Sequence, residues 1–177
     1  QKDELIMLLD SVKAANANTV YFQVRGRCDA MYKSSYEPWS SDLVATRGMD
    51  PGYDPLLFAV EEAHKRGIEI HAWFNPYRYE SVLHQWDGTP QNYRESHPEW
   101  LLDYSDGSIL NPAMPEVRDH ITAIIQEVVQ NYDIDGVVFD DYFYMSGTTD
   151  DMDDELYQQS NPDNLSRADW RRQNVNK

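Results

Sequence analysis

Helical and strand-like patterns of apolar residues alternate three times along this chain. Apolar residues recur at helical spacing after Asp3, Asp54 and Pro115, and apolar runs typical of strands follow at residues 19–24, 68–74 and from Gly136. Parallel strands need long crossovers, which are usually helices. The alternation therefore predicts an α/β fold with a parallel sheet.

Capping residues indicate where several of these helices begin and end. Asp3 is a candidate N-cap for the first helix, and Asp54 followed by Pro55 predicts the start of the second. Gly67 is a suitable stop for that second helix. Near the end of the chain, Ser166 is predicted to cap one more helix.

The connections between these elements differ in length on the two sides of the sheet. Residues 25–53 and 75–114 separate strands from the helices that follow them, whereas helices lead into strands within a few residues. Long strand-to-helix loops are typical of a (β/α)8 TIM barrel, where they build the active site. A full barrel needs about 250 residues. We therefore expect one domain over residues 1–177, truncated at both ends and containing barrel strands 2–4. The alternative is a small, complete open α/β domain.

Side-chain alternation along the strands predicts one apolar face and one polar face. The apolar face should meet the helices and contains Val20, Phe22, Val24, Ile70, Ala72, Phe74, Val137 and Phe139. The polar face should line a cavity and contains Arg25, His71, Trp73, Asn75, Asp140 and Tyr142. This alternation directs Asp140 into the cavity and Asp141 away from it, unless a β-bulge reverses the order. In the alternative interpretation both aspartates are structural.

A carboxylate beside aromatic rings at a strand end suggests hydrolysis of a glycan. Glycosidases use two carboxylates that flank the scissile bond. Asp140 and Asp141 should point to opposite faces, so we expect the second carboxylate of the pair from Asp29, from another loop or from outside this chain. Arg25 would lower the pKa of a neighbouring carboxyl group.

Other residues of the predicted cavity are suited to holding a sugar. Trp73, Tyr142 and Tyr144 offer rings for stacking, and Asn75 offers an amide that can bond hydroxyls. His71 is either a second hydroxyl partner or a satisfied core residue.

The composition of the chain narrows the range of possible binding partners. The net charge is −16, from 15 Lys and Arg against 31 Asp and Glu. Such a charge disfavours nucleic acid and anionic membranes as partners, and no apolar run is long enough for a membrane span. The single cysteine, Cys28, excludes an intrachain disulfide.

No cofactor or metal ion is predicted for this chain. Phosphate-binding glycine loops and the usual zinc motifs do not occur. The acidic run at residues 150–155 lacks the spacing of an EF-hand, and we interpret it as a solvated loop in preference to a calcium site.

Several motifs in a fixed order resemble one protein family. They are residues 22–25 (FQVR), 29–32 (DAMY), 37–40 (EPWS), 53–56 (YDPL), 71–78 (HAWFNPYR), 110–112 (LNP), 139–144 (FDDYFY) and 169–172 (DWRR). Together they resemble the bacterial glycosyl-hydrolase-like 10 family almost from end to end. The resemblance implies a TIM barrel of which the first and the last four strands are missing here. It also adds three motif residues, Tyr32, Tyr77 and Asn111, to the candidates for substrate binding.

The same resemblance implies a location and a substrate. Family members are usually exported, often as lipoproteins, and one branch is a divisome-associated hydrolase of peptidoglycan strands that lack peptides. We therefore expect a glycan substrate and an extracytoplasmic location, compatible with a lipid anchor upstream of this chain. The oligomeric state stays open.

Three functional hypotheses follow from the sequence. The first is a glycoside hydrolase that uses Asp140, with Asp141 as the second choice. The second is a non-catalytic carbohydrate-binding module that keeps the aromatic residues. The third is a metal-dependent hydrolase of another bond.

Overall fold

A computed structural model describes residues 1–86, 89–140 and 143–177, which form two compact units. The first unit comprises Gln1–Asn75 and Ile124–Asp140. The second comprises Pro76–Ala123 and the described residues from 143 to Lys177. Each unit is described by itself below, and the expectation of one domain over the whole chain stays a prediction.

Helices and strands follow one another in the order that the sequence predicts for the first unit. The helices are α1 (Lys2–Ala14), α2 (Pro55–Lys65), α3 (Tyr93–Ser96), α4 (Pro115–Asn131), α5 (Asp154–Ser160) and α6 (Arg167–Val175). The strands are β1 (Thr19–Arg25), β2 (Glu69–Phe74), β3 (Arg78–Ser81), β4 (Leu101–Tyr104), β5 (Gly107–Leu110) and β6 (Gly136–Phe139). None of the helices within the described residues has both the length and the apolar character needed to cross a bilayer.

The first unit contains a three-stranded parallel sheet, which confirms the predicted α/β class. The strand order is β1-β2-β6, and both pairs of neighbours run parallel. Tyr21 lies opposite His71, which in turn lies opposite Gly136, so equivalent positions of the three strands are aligned. The carboxyl ends of all three strands consequently share one edge of the sheet.

Apolar side chains on the predicted face pack against the helices. The buried core joins residues of β1 and β2 to residues of α1, α2 and the second half of α4, including Val24, Ile70, Ala72, Phe74, Leu9, Leu56, Val60, Ile124 and Val128. Val20, Phe22 and Val137 are partly buried against the same cluster, so the predicted apolar face is confirmed there. Phe139 departs from it because half of its surface is exposed.

The helix ends agree with the capping residues in three of four cases. Asp54 accepts a hydrogen bond from the Leu57 amide at 3.0 Å, and Gly67 adopts a φ of +64° after α2. Ser166 caps α6 through the Asp169 amide at 3.2 Å. The prediction for Asp3 was wrong because α1 begins at Lys2. Asp3 therefore lies in the first helical turn, where its charge complements the helix dipole.

The second unit contains an antiparallel sheet that the sequence analysis did not predict. Its strand order is β3-β5-β4, within the segment expected to be a long connection. Tyr104 pairs with Gly107, so residues 105 and 106 form a two-residue hairpin loop. A Cβ atom on Gly107 would lie 2.3 Å from the carbonyl oxygen of Glu80. This close approach explains why glycine occupies that position.

The acidic run at residues 150–155 is partly neutralised inside the second unit. Asp153 is buried, and its carboxylate accepts hydrogen bonds from Arg167 at 2.9 Å and from Arg171 at 2.7 Å. Arg167 also pairs with Asp154. The predicted solvated loop therefore describes only part of this run, since α6 supplies two arginines that bind it.

Candidate functional site

The carboxyl ends of the three parallel strands bring together three of the predicted site residues. Arg25 ends β1, Asn75 follows β2 and Asp140 follows β6. The Asn75 amide donates to the Arg25 carbonyl at 2.9 Å, and the Asp140 amide donates to the Phe74 carbonyl at 3.2 Å. Backbone pairing thus continues one residue beyond β2 and β6 and places these side chains at one sheet edge.

Asn75 links the ends of all three strands through its side chain. Its Oδ1 accepts a hydrogen bond from Gln23 Nε2 at 2.5 Å, and its Nδ2 donates to the Asp140 carbonyl oxygen at 2.9 Å. Only 1% of Asn75 is exposed. The amide was predicted to bond sugar hydroxyls, whereas the structure uses it to hold the backbone of Asp140.

Arg25 is buried at the same edge and is bound to Glu37. Its Nε and Nη2 donate to Glu37 Oε1 at 3.0 and 2.8 Å, and its Nη1 donates to the Asn75 carbonyl at 2.9 Å. The pairing register with β2 shifts between Gln23 and Arg25, so strict alternation ends before Arg25. The sequence suggested that Arg25 would act on a catalytic carboxylate, and among the described residues it binds the carboxylate of Glu37.

Asp140 combines a fixed backbone with an exposed side chain. Its amide and carbonyl groups are both bonded, to Phe74 and Asn75, while the residue as a whole is exposed. A carboxylate on a backbone held from both sides is well suited to act on a bound ligand, because little ordering remains to be done. Asp141 and Tyr142, which the sequence also assigned to the site, lie outside the described residues.

Two predicted site residues from the β1–α2 connection are fully buried in the first unit. Asp29 accepts hydrogen bonds from the Arg27 amide at 3.0 Å and from Ser40 Oγ at 2.7 Å. Tyr32 lies in the core, with its ring edge-on to Tyr132 at 5.7 Å between centroids. Burial raises the pKa of the Tyr32 hydroxyl. Both residues therefore stabilise the β1–α2 connection through buried contacts.

Cys28 is buried beside Arg25, whose Nη2 donates to the Cys28 sulfur at 2.9 Å. The reactivity of its thiol therefore tests whether this part of the first unit is buried. Burial, opposed by Arg25, raises the pKa of the thiol to about 12. The neutral thiol therefore favours folding below about pH 9, and this contribution is lost as the pH rises towards 12. At pH 8 we expect iodoacetamide to label the folded protein roughly a thousandfold more slowly than the urea-unfolded protein. Equal labelling rates would contradict the buried position.

His71 and Trp73 lie on the polar face of β2, at different distances from the strand end. The His71 ring packs edge-on against Tyr21 at 5.6 Å, close to Gly136. His71 lies four positions before Asn75, which corresponds to about 13 Å along a strand. Trp73 is nearer to the edge, and among the described residues its buried indole N–H has no hydrogen-bond partner.

Three further candidates belong to the second unit. Tyr77 is buried with its ring edge-on to Phe143 at 6.0 Å, and burial raises its pKa. Asn111 is buried, and its Oδ1 accepts a hydrogen bond from the Ala113 amide at 3.0 Å. Tyr144 packs beneath the Arg171 guanidinium at 5.6 Å, and burial is the main cause of its raised pKa. The strand-end cluster of Arg25, Asn75 and Asp140 belongs to the first unit.

Sequence reasoning missed the two residues that complete the strand-end cluster. Glu37 occurs in one of the family-like motifs but received no role, and Gln23 was placed on the polar face without a partner. A buried arginine needs a carboxylate partner, so Arg25 was a sign that one existed. In the described part of the chain, no group of three His, Cys, Asp or Glu side chains is arranged to hold a metal ion.

Comparison with known proteins supplies a family and relatives. The family described as Glycosyl hydrolase-like 10 matches residues 1–177. Glycosyl hydrolase YngK of Bacillus subtilis is 44% identical over 181 residues, which cover 99% of this chain and 35% of YngK. Glycosyl hydrolase DigH of Escherichia coli K12 is 40% identical over 185 residues, covering 99% of this chain and 42% of DigH. The chain therefore spans less than half the length of these relatives.

Solved structures share the fold at much lower identity. The α-L-fucosidase isoenzyme 2 from Paenibacillus thiaminolyticus superposes with a TM-score of 0.63 and 17% identity, over 99% of this chain and 25% of its own. The maltogenic α-amylase AmyB from Thermotoga neapolitana gives a TM-score of 0.52 and 14% identity, over 93% of this chain and 39% of its own. These neighbours are TIM-barrel glycosidases, and at such identity the likeness concerns the fold alone.

Proposed function

Because this chain belongs to the glycosyl hydrolase-like 10 family, we propose that it forms part of a glycoside hydrolase whose active site contains Asp140. The observation that supports this most directly is the geometry of Asp140. Its backbone is held by Phe74 and Asn75 at the carboxyl edge of a parallel sheet, while its side chain is exposed. Active sites of TIM-barrel enzymes are built at this edge.

The residues around Asp140 have different roles in this proposal. Asp140 acts as the nucleophile or as the general acid and base, both of which are carboxylate roles in glycoside hydrolysis. Asn75 positions the backbone of Asp140 through its side-chain amide. Arg25, which is paired with Glu37, in turn donates to the Asn75 carbonyl. The second carboxylate is proposed to come from another loop or from outside this chain, since both Oδ atoms of Asp29 are already engaged.

The three parallel strands are proposed to be consecutive strands of a (β/α)8 barrel. Each strand follows a helix, and the polar residues gather at the carboxyl ends, as they do in that architecture. The proposed substrate is a bacterial polysaccharide, with peptide-free peptidoglycan strands as the first choice. A location outside the cytoplasm belongs to the same proposal, because such strands lie there.

Product analysis tests the proposed reaction. The protein is incubated with peptide-free glycan strands, with and without EDTA, and new reducing ends are quantified and identified by mass spectrometry. We expect reducing ends to form at equal rates in both samples. Glycan binding without new reducing ends would favour a carbohydrate-binding module instead. Activity that EDTA abolishes would favour a metal-dependent hydrolase.

A further inference from the structure

A polar pocket of about 280 Å³ lies beside the antiparallel sheet of the second unit. Its lining includes Glu80, Gln85, Arg94, Asp103, Tyr104 and Ser108. This volume falls just below the usual range of roughly 300–1,000 Å³ for small-molecule sites, so it suits a single ring rather than a larger ligand. All residues of this lining belong to the second unit.

Arg94 organises the polar groups of this pocket. Its Nη2 donates to Glu80 Oε2, Asp103 Oδ1 and Ser108 Oγ, each at 2.7 Å. Ser108 Oγ in turn donates to Asp103 Oδ1 at 2.7 Å. One helix residue thereby holds side chains from all three strands of the sheet, so the pocket wall is preorganised.

Both carboxylates keep capacity to accept one more hydrogen bond. An ionised carboxylate has about four acceptor positions. Asp103 accepts two bonds from Arg94 and one from Ser108. Glu80 accepts two bonds from Arg94 and one from the Trp86 amide. Two fixed acceptors with spare positions, side by side, suit a ligand with neighbouring hydroxyl groups.

Donors for the oxygens of such a ligand are also present. Arg94 Nη1 has two N–H groups and makes one bond among the described residues, to Asp103 at 3.2 Å. The Gln85 amide lines the pocket and adds further donors. The pocket therefore offers both donors and acceptors, as the hydroxyls of a sugar require.

The charge of the lining restricts which sugar can bind. Glu80 and Asp103 contribute two negative charges against the single positive charge of Arg94, so the pocket keeps an excess negative charge. Arg94 also lowers the pKa of Asp103, which keeps that carboxyl group ionised and unsuited to act as a proton donor. These properties favour binding over catalysis and disfavour sugars that contain a carboxylate.

We propose that this pocket is a glycan subsite that binds one sugar ring without a carboxylate group. The inference rests on the proposed glycoside hydrolase function for its choice of ligand class. Because its two carboxylates are held by Arg94, the pocket would contribute to substrate affinity rather than to bond cleavage.

Binding measurements with one neutral and one acidic oligosaccharide test the subsite. Calorimetry and amide NMR are used with N-acetylchitotriose, which is neutral, and with trigalacturonate, which is acidic. We expect N-acetylchitotriose to bind and to shift the amide signals of Arg94 and Gly107, whereas trigalacturonate should not. Binding of trigalacturonate with equal affinity would overturn the proposal, as would chitotriose binding that leaves these signals unchanged.

Three variants make the test specific. Asp103→Asn should weaken chitotriose binding at least about tenfold, because a charge-assisted hydrogen bond is lost. Gln85→Ala leaves the Arg94 network intact and should weaken binding roughly threefold. Asp106→Asn lies in the same hairpin outside the pocket and should bind like the unmodified protein. If neither pocket variant weakens binding, the subsite is wrong.

The same experiment separates the subsite from the proposed reaction. Asp140→Asn should abolish glycan cleavage, whereas Asp103→Asn should weaken chitotriose binding. If chitotriose binds in a manner that depends on Asp103 but the unmodified protein releases no reducing ends, the hydrolase is rejected and the subsite is retained. Glycan cleavage by a protein whose pocket variants behave normally would reject the subsite and retain the hydrolase.

Discussion

Replacing Glu37 by glutamine should lower the free energy of unfolding by about 3–5 kcal/mol, because it removes the charge that Glu37 places against the buried Arg25 guanidinium. The side chains of both partners are at most 1% exposed, and two arginine nitrogens donate to the same carboxylate oxygen. Glutamine keeps the size of glutamate, so the loss reflects the charge. Urea unfolding with an unchanged m-value measures it.

An exposed pair of the same chemical type provides the matched control. Arg27 contacts Asp42 at 2.7 Å, and the Asp42 side chain is 49% exposed. Asp42→Asn should therefore change the unfolding free energy by no more than about 1 kcal/mol, as is usual for surface ion pairs. Equal effects of the two substitutions would show that burial does not govern the Arg25–Glu37 interaction.

Much of the first unit could be predicted because its determinants are local in sequence. The helix start at Asp54 depends on one side chain and an amide three residues away. The apolar face of β2 follows from alternation within six residues. Such features need no knowledge of distant contacts, and the parallel sheet then follows from the order of helices and strands.

The features that could not be predicted depend on contacts between distant residues. A shift in strand register removed Arg25 from the alternation, and its partner Glu37 comes from a loop whose course the sequence did not indicate. Asn75 has the residue type expected of a sugar ligand. Its partners, Gln23 and Asp140, lie 52 and 65 residues away in the chain, so its structural role was not visible.

The antiparallel sheet of the second unit was missed for a different reason. Its strands β3, β4 and β5 have only four residues each, which is too short to show clear alternation. Asp106 followed by Gly107 is a common hairpin sequence and was the available indication. The pocket organised by Arg94 depends on this sheet, so the sequence patterns could not predict the pocket either.

The substitution with the largest expected effect on activity is Asp140→Asn. Asparagine keeps the amide bonded to Phe74 and the carbonyl bonded to Asn75, because both contacts are made by the backbone. Since the residue is exposed, stability should change by no more than about 1 kcal/mol. The charge and the proton-transfer capacity are lost, so turnover of a glycan should fall roughly 10²–10⁴-fold.

The most direct test of the account is the kcat of Asp140→Asn on peptide-free glycan strands, compared with that of Asp133→Asn. Asp133 belongs to the same unit and its side chain is 95% exposed, so its replacement controls for the loss of one negative charge. We predict that kcat falls at least about 100-fold for Asp140→Asn and is unchanged for Asp133→Asn. Full turnover by a folded Asp140→Asn variant would contradict the catalytic role of Asp140.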